Sequence, residues 1–159
     1  MENDLIEEIY RKYSRQLYIY ALSLVHNRAD AEDLVSETFI RAFLSLKRHD
    51  NLQTWLYTVL RNLFFDEMRR RKHVISLGEQ MLAHIPPAGE TDRTPWLYEK
   101  INALKQPDRE IMILTLTSGL NDEQIAELVH MTKENVRVIR HRTKQKLKEL
   151  AQKEGYSND

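Results

Sequence analysis

The sequence predicts an all-α protein built as two small helical domains joined by a flexible linker, the C-terminal domain a helix-turn-helix. Three observations carry that prediction. Only 4 Gly and 4 Pro occur in 159 residues, which starves the chain of turns. Apolar residues recur in steps of three and four, the period of a helix with one buried face. One stretch, 76–94, has no such period and contains Pro86, Pro87, Gly89, Glu90 and Asp92. The expected organisation is a domain at 1–75, a linker at 76–94 and a second domain at 95–159.

The elements follow in order. Leu5, Ile9, Tyr13, Leu17, Ala21 and Leu24 mark a first helix, with an interruption expected near Ser14, and Asn27-Arg28 breaks the pattern. A second helix is expected over about 29–46, burying Val35, Phe39, Ala42 and Leu46. After the polar run 47–51, a third begins near Leu52 or Gln53. It carries Trp55, Leu56, Val59, Leu60, Leu63 and Phe64 inward and ends in Arg69-Arg70-Arg71-Lys72, where cations suit the negative end of the helix dipole. Pro95 suits the first turn of a helix over about 95–105 with Leu97, Ile101 and Leu104 apolar. Pro107-Asp108 opens another, carrying Ile111, Met112 and Leu114, and Ser118-Gly119 closes it. Asn121 caps a short helix near 122–129, and Thr132 caps a long one from Lys133.

Composition narrows the function. Hydrophobic residues make up 42% and charged residues 30%, enough for modest cores. No cysteine is present, so disulfides, thiolate chemistry and cysteine zinc sites are excluded. The start is acidic and no run approaches a membrane span, so a soluble, cytoplasmic protein is expected. Net charge is zero, but it is unevenly placed. Residues 47–73 hold 7 basic and 3 acidic side chains, and 133–153 hold 8 and 2. Acidic segments lie before and between them. Two cationic footprints are therefore concealed in a neutral total.

Residues 121–148 read as a helix-turn-helix. Ile125 and Val129 face inward from its first helix, Ala126 is small where the second must cross, and Met131 fills the gap under the turn. Val136, Ile139 and Leu147 anchor the second helix, while Arg137, Arg140, His141, Lys144 and Lys148 project from its other surfaces. Such a helix can read a major groove; an ordinary helical hairpin with a solvated basic face has the same pattern. By itself Arg69–Lys72 reads as a solvated helix end, and Trp55 as core. Nothing points to catalysis. The six histidines lack ligand spacing, and neither a phosphate-cradling Gly loop nor an HExxH pattern occurs. No cofactor, metal or small-molecule substrate is expected.

Over nearly its full length the chain resembles the extracytoplasmic-function group of bacterial RNA polymerase sigma factors. DAEDLVSETFIRAF (30–43) is similar to the stretch that docks on the polymerase clamp. TWLYTVLRNLFFDEMRRRK (54–72) is similar to the part that meets the −10 promoter element. Residues 104–150 are similar to the domain that reads the −35 element. The resemblance implies that Glu32, Asp33, Leu34, Glu37, Phe39 and Arg41 bind polymerase. It implies −10 contacts for Lys47, Arg48, Asn51, Asn62, Arg69 and Arg70, with Asp66 orienting the arginines. Lys133, Glu134, Arg137, Val138, His141 and Arg142 match positions at the −35 groove.

The implied partners are core RNA polymerase (clamp and flap regions), promoter DNA and an anti-sigma factor. Two features depart from the group. His130 stands where a glycine is usual, and Ile139-Arg140 reverses the usual basic-then-apolar order. That order, like Lys133-Glu134, looks more like the longer housekeeping sigma factors. Two rival readings stay open on the residues alone. One is a dimeric operator-binding regulator, although no dimerisation helix is evident; the other is a protein-interaction adaptor with merely solvated basic helices.

Overall fold

A computed structural model describes residues 2–45, 51–71 and 93–155. Among these the regular elements are seven helices: α1 (Glu2–Val25), α2 (Arg28–Leu44), α3 (Leu52–Arg71), α4 (Arg93–Asn102), α5 (Asp108–Thr117), α6 (Asp122–Val129) and α7 (Lys133–Lys153). The all-α expectation holds. The chain divides into two compact units, Met1–Ala83 and His84–Asp159. Of the linker expected at 76–94, residues 76–92 lie outside the described residues, as do Leu46, Lys47, Arg48 and Lys72. Arg93 and Thr94 already belong to α4, so that helix begins two residues before Pro95.

In the first unit α1, α2 and α3 pack pairwise into a three-helix bundle. Its interior is Leu17, Tyr20, Leu22, Ala31, Leu56, Tyr57 and Leu60, each withdrawn from solvent. The Tyr20 and Tyr57 rings lie 5.3 Å apart, and the Tyr57 hydroxyl donates to Gln16 Oε1 at 3.2 Å, so its polar end is satisfied. The interruption expected near Ser14 does not occur: α1 runs unbroken for 24 residues. A serine inside a helix costs a few tenths of a kcal/mol against alanine, about what one good contact restores. The expected α1 stripe also fails at its start, since Leu5 is 49% exposed. Only the C-terminal half of α1 lies deep in the bundle.

The connection from α1 to α2 is two residues long. His26 has φ 55°, in the left-handed region that ends a helix. Asn27 is extended, and its side chain accepts from the Asp30 N–H at 3.0 Å, capping α2. On α2 the buried set is Ala31, Val35, Thr38, Phe39 and Ala42, which contains the three described residues of the expected stripe. On α3 Leu56, Leu60 and Leu63 are buried as expected, while Trp55, Val59 and Phe64 are only half-buried.

In the second unit α4 packs on α5, and both α5 and α6 pack on α7. Ile111, Met112, Ile113 and Leu114 are all buried, so α5 is apolar on most of its circumference and forms the unit's centre. It stops where Ser118-Gly119 predicts. Gly119 has φ +69°, and the Ser118 hydroxyl accepts from the Leu120 N–H at 3.0 Å. Ile101 of α4 and Leu104, just past its end, close the core, with Tyr98 beside them; Leu97, expected inward, is half-buried.

Candidate nucleic-acid interface

The α6–turn–α7 hairpin is defined by its caps. Asn121 and Gln124 form a reciprocal capping box: Asn121 Oδ1 accepts from the Gln124 N–H at 2.8 Å, and Gln124 Oε1 accepts from the Asn121 N–H at 3.0 Å. His130 ends α6 in the left-handed conformation, φ 60° and ψ 46°, where a side chain with a Cβ is strained by about 1 kcal/mol. The Met131 N–H then donates to the Ala126 carbonyl at 2.9 Å, closing the turn. Thr132 restarts the chain, its hydroxyl accepting from the Asn135 N–H at 3.1 Å.

The core side of α7 is Val136, Ile139, Thr143 and Leu147, spaced three, four and four. Glu134, Arg137, Val138 and His141 are exposed, as are Lys133 and Arg142. Val138 is 56% exposed, an apolar side chain left outside the core. The hairpin thus offers acceptor, cation, methyl groups and imidazole in the first three turns of one helix. Those groups span the chemistry displayed by base edges in a major groove.

Two aspartates hold the arginines of that helix. Asp122, in the first turn of α6, accepts a hydrogen bond from Arg140 Nη1 through Oδ1, and its Oδ2 lies 3.6 Å from Arg137 Nε. Burial pushes the Asp122 carboxyl up, but the hydrogen bond and charge of Arg140, then those of Arg137, outweigh it and hold the carboxyl below the ordinary aspartate value. Asp108, in the first turn of α5, accepts from Arg142 Nη2 at 3.1 and 3.3 Å. Acidic residues also suit both positions because of the helix dipole.

The first unit carries the other expected residues. Glu32, Asp33, Glu37 and Arg41 are exposed on α2 and Leu34 is half-buried, with Glu37 and Arg41 paired at 3.3 Å. Phe39 behaves differently. It is 3% exposed, its ring 4.9 Å from Tyr10 and 5.7 Å from Phe43, so it supports this surface from behind. Asn51 caps α3, its side chain accepting from the Thr54 N–H at 3.2 Å. A cavity of about 490 Å³ brings Arg41 of α2 together with Trp55, Asn62 and Asp66 of α3. Arg69 is paired with Asp66, and Arg70 with Glu67 at 3.4 Å; both arginines are largely exposed.

Residues 9–74 match the family model of sigma-70 region 2. The ECF RNA polymerase sigma factor EcfG of Rhodopseudomonas palustris is 30% identical, over 87% of this chain and 81% of that protein. The ECF sigma factor SigM of Bacillus subtilis is 28% identical, over 91% and 94%. Among solved structures, the sigma factor RpoE of Bartonella quintana, in complex with the anti-sigma factor NepR, superposes with a TM-score of 0.68. It is 32% identical and covers 86% of this chain and 89% of its own. The chain belongs to the ECF group of RNA polymerase sigma factors. It directs promoter-specific transcription.

In this sigma factor, sequence reasoning missed the residues that fix others in place. Asp108 and Asp122 carried a signal only as first-turn acids. Thr143, on the α7 core face, is 1% exposed. Glu154 binds α7 back to α4: its carboxylate accepts from Trp96 Nε1 at 2.7 Å and lies 3.5 Å from Lys100 Nζ. The usual apolar position filled here by Arg140 costs no core, because Ile139 beside it is buried (6% exposed). Among the described residues no group of three or more His, Asp or Glu is placed to hold a metal ion, and no helix is long and apolar enough to cross a membrane.

Proposed function

We propose that this sigma factor reads promoters through two helical units that are each weak alone. Residues 1–75 form the unit for the polymerase clamp and −10 element, 76–94 the linker, and 95–159 the unit for the −35 element. Glu32, Asp33, Leu34, Glu37 and Arg41 face polymerase, with Phe39 supporting them. Lys47, Arg48, Asn51, Asn62, Arg69 and Arg70 serve the −10 element. Lys133, Glu134, Arg137, Val138, His141 and Arg142 serve the −35 groove. The observation that carries this reading is α7 itself. Its apolar residues are spent on the core, while Glu134, Arg137, Val138 and His141 stand exposed in consecutive turns.

Tethering both units to one enzyme multiplies weak contacts through effective concentration. The protein acts as a binding factor in the cytoplasm and catalyses nothing itself. The fold it shares with RpoE of Bartonella quintana, solved with an anti-sigma factor, supports an anti-sigma partner here too. The test is transcription by purified core polymerase, with and without this chain, on genomic fragments. Defined start sites that need the chain are the expected result. Their absence from every fragment would refute the reading, and palindrome binding without polymerase would replace it with an operator-binding regulator.

A further inference from the structure

Asp122 engages two arginines that differ in exposure. Arg140 has a side chain 24% exposed, and its hydrogen bond fixes the carboxylate against the α6–α7 crossing. Arg137 is 62% exposed and meets the same carboxylate at 3.6 Å through Nε. The guanidinium nitrogen that approaches the carboxylate is Nε, on the side of the group, and not one of the two terminal nitrogens. An arginine reads guanine by donating two parallel hydrogen bonds to O6 and N7, which an end-on pair of terminal nitrogens supplies. An exposed ion pair adds little stability. What this one changes is the direction of a long side chain that would otherwise sample many rotamers, whose ordering on DNA would weaken binding.

We propose that Asp122 is a positioning residue for base recognition: anchored by Arg140, it braces Arg137 at Nε and turns its terminal fork toward a guanine of the promoter. The inference rests on α7 being the −35 reader. It assigns specificity to a carboxylate that itself touches no base.

The experiment uses the full chain with core RNA polymerase on promoters randomised across the −35 element. Arg137→Ala is expected to lose preference for guanine at one position by roughly fivefold to a hundredfold. Asp122→Asn, nearly isosteric, is expected to lose preference at that same position by about three- to tenfold. The double variant should discriminate no worse than Arg137→Ala, because the aspartate acts only through that arginine. Asp122→Glu retains the charge on a longer stem, and it decides the matter should the Asn variant melt: its preference should fall below wild type as the aim relaxes. Unchanged preference in Asp122→Glu, or in a folded Asp122→Asn while Arg137→Ala loses it, overturns the proposal. So does a loss spread over all positions, the signature of a merely structural role. If Arg137→Ala changes no position, the −35 reading has failed and Asp122 has nothing to brace.

Discussion

The arginines of α3 and those of α7 find their carboxylates in opposite ways. At the end of α3, Arg69 pairs with Asp66, Arg70 with Glu67 at 3.4 Å and Arg71 with Glu67 at 2.9 Å, all three or four residues back on the same helix. Among the described residues Arg71 also approaches another helix, with Asp30 of α2 at 3.8 Å. On α7, Arg137 and Arg140 reach Asp122 of α6, and Arg142 reaches Asp108 of α5. Pairs within one helix are set by its geometry and leave the cations free to exchange partners. Pairs between helices limit where an arginine points and join α7 to the core beneath it. Under the proposed function, the first arrangement would suit a cationic patch that adapts to a phosphate backbone, the second a surface that meets base edges in register.

The contrast breaks most visibly at Asp122. Asp122→Ala leaves the half-buried guanidinium of Arg140, whose Nε already has no hydrogen-bond partner, without its carboxylate. Loss of a hydrogen bond to a charged group of this kind costs roughly 1–3 kcal/mol, to be read from urea unfolding of wild type and variant. Acid should erase the same contribution. The folded-state pKa of Asp122 is lowered, so its stabilisation is complete above the unfolded value near 3.8 and declines as pH falls through the lower folded value. Melting curves should therefore separate wild type from Asp122→Ala by the same margin at pH 7 and pH 5, and begin to converge only once the pH falls below about 4.

A smaller effect is expected at the turn between α6 and α7. His130→Gly removes left-handed strain but loosens the unfolded chain, for a net gain of about 1 kcal/mol or less in thermal or urea unfolding. The smallest change tests the other side of the comparison. Asp66→Asn breaks an exposed pair within one helix and should alter unfolding by about 0.5 kcal/mol or less. A loss at Asp66 equal to that at Asp122 would remove the distinction between local and cross-helix pairing.

Much of the fold was legible because its signals are local. The stripe Val35, Phe39 and Ala42 is buried, Asn121 and Thr132 cap the helices they precede, and Ser118-Gly119 ends α5. Helix period, capping and backbone preference all act within four residues, so they are written along the chain. The exceptions are as instructive. Ser14 breaks nothing, because a weak propensity yields to continuous packing on the far half of α1. Trp55 has the spacing of a core residue yet lines a cavity beside Arg41 and Asn62, since being on the apolar stripe does not specify which neighbour covers it.

The sequence by itself determined the seven helices of the described residues, the caps Asn121 and Thr132, two cationic blocks and, apart from half-buried Arg140, the face of α7 that stays in water. Tertiary structure decided which carboxylate each α7 arginine would find: Asp122 lies 18 residues from Arg140, and Asp108 lies 34 from Arg142. No periodicity spans such separations. Those pairings exist because α5 and α6 cross α7 with their first turns, where acids are favoured, beside its cationic flanks.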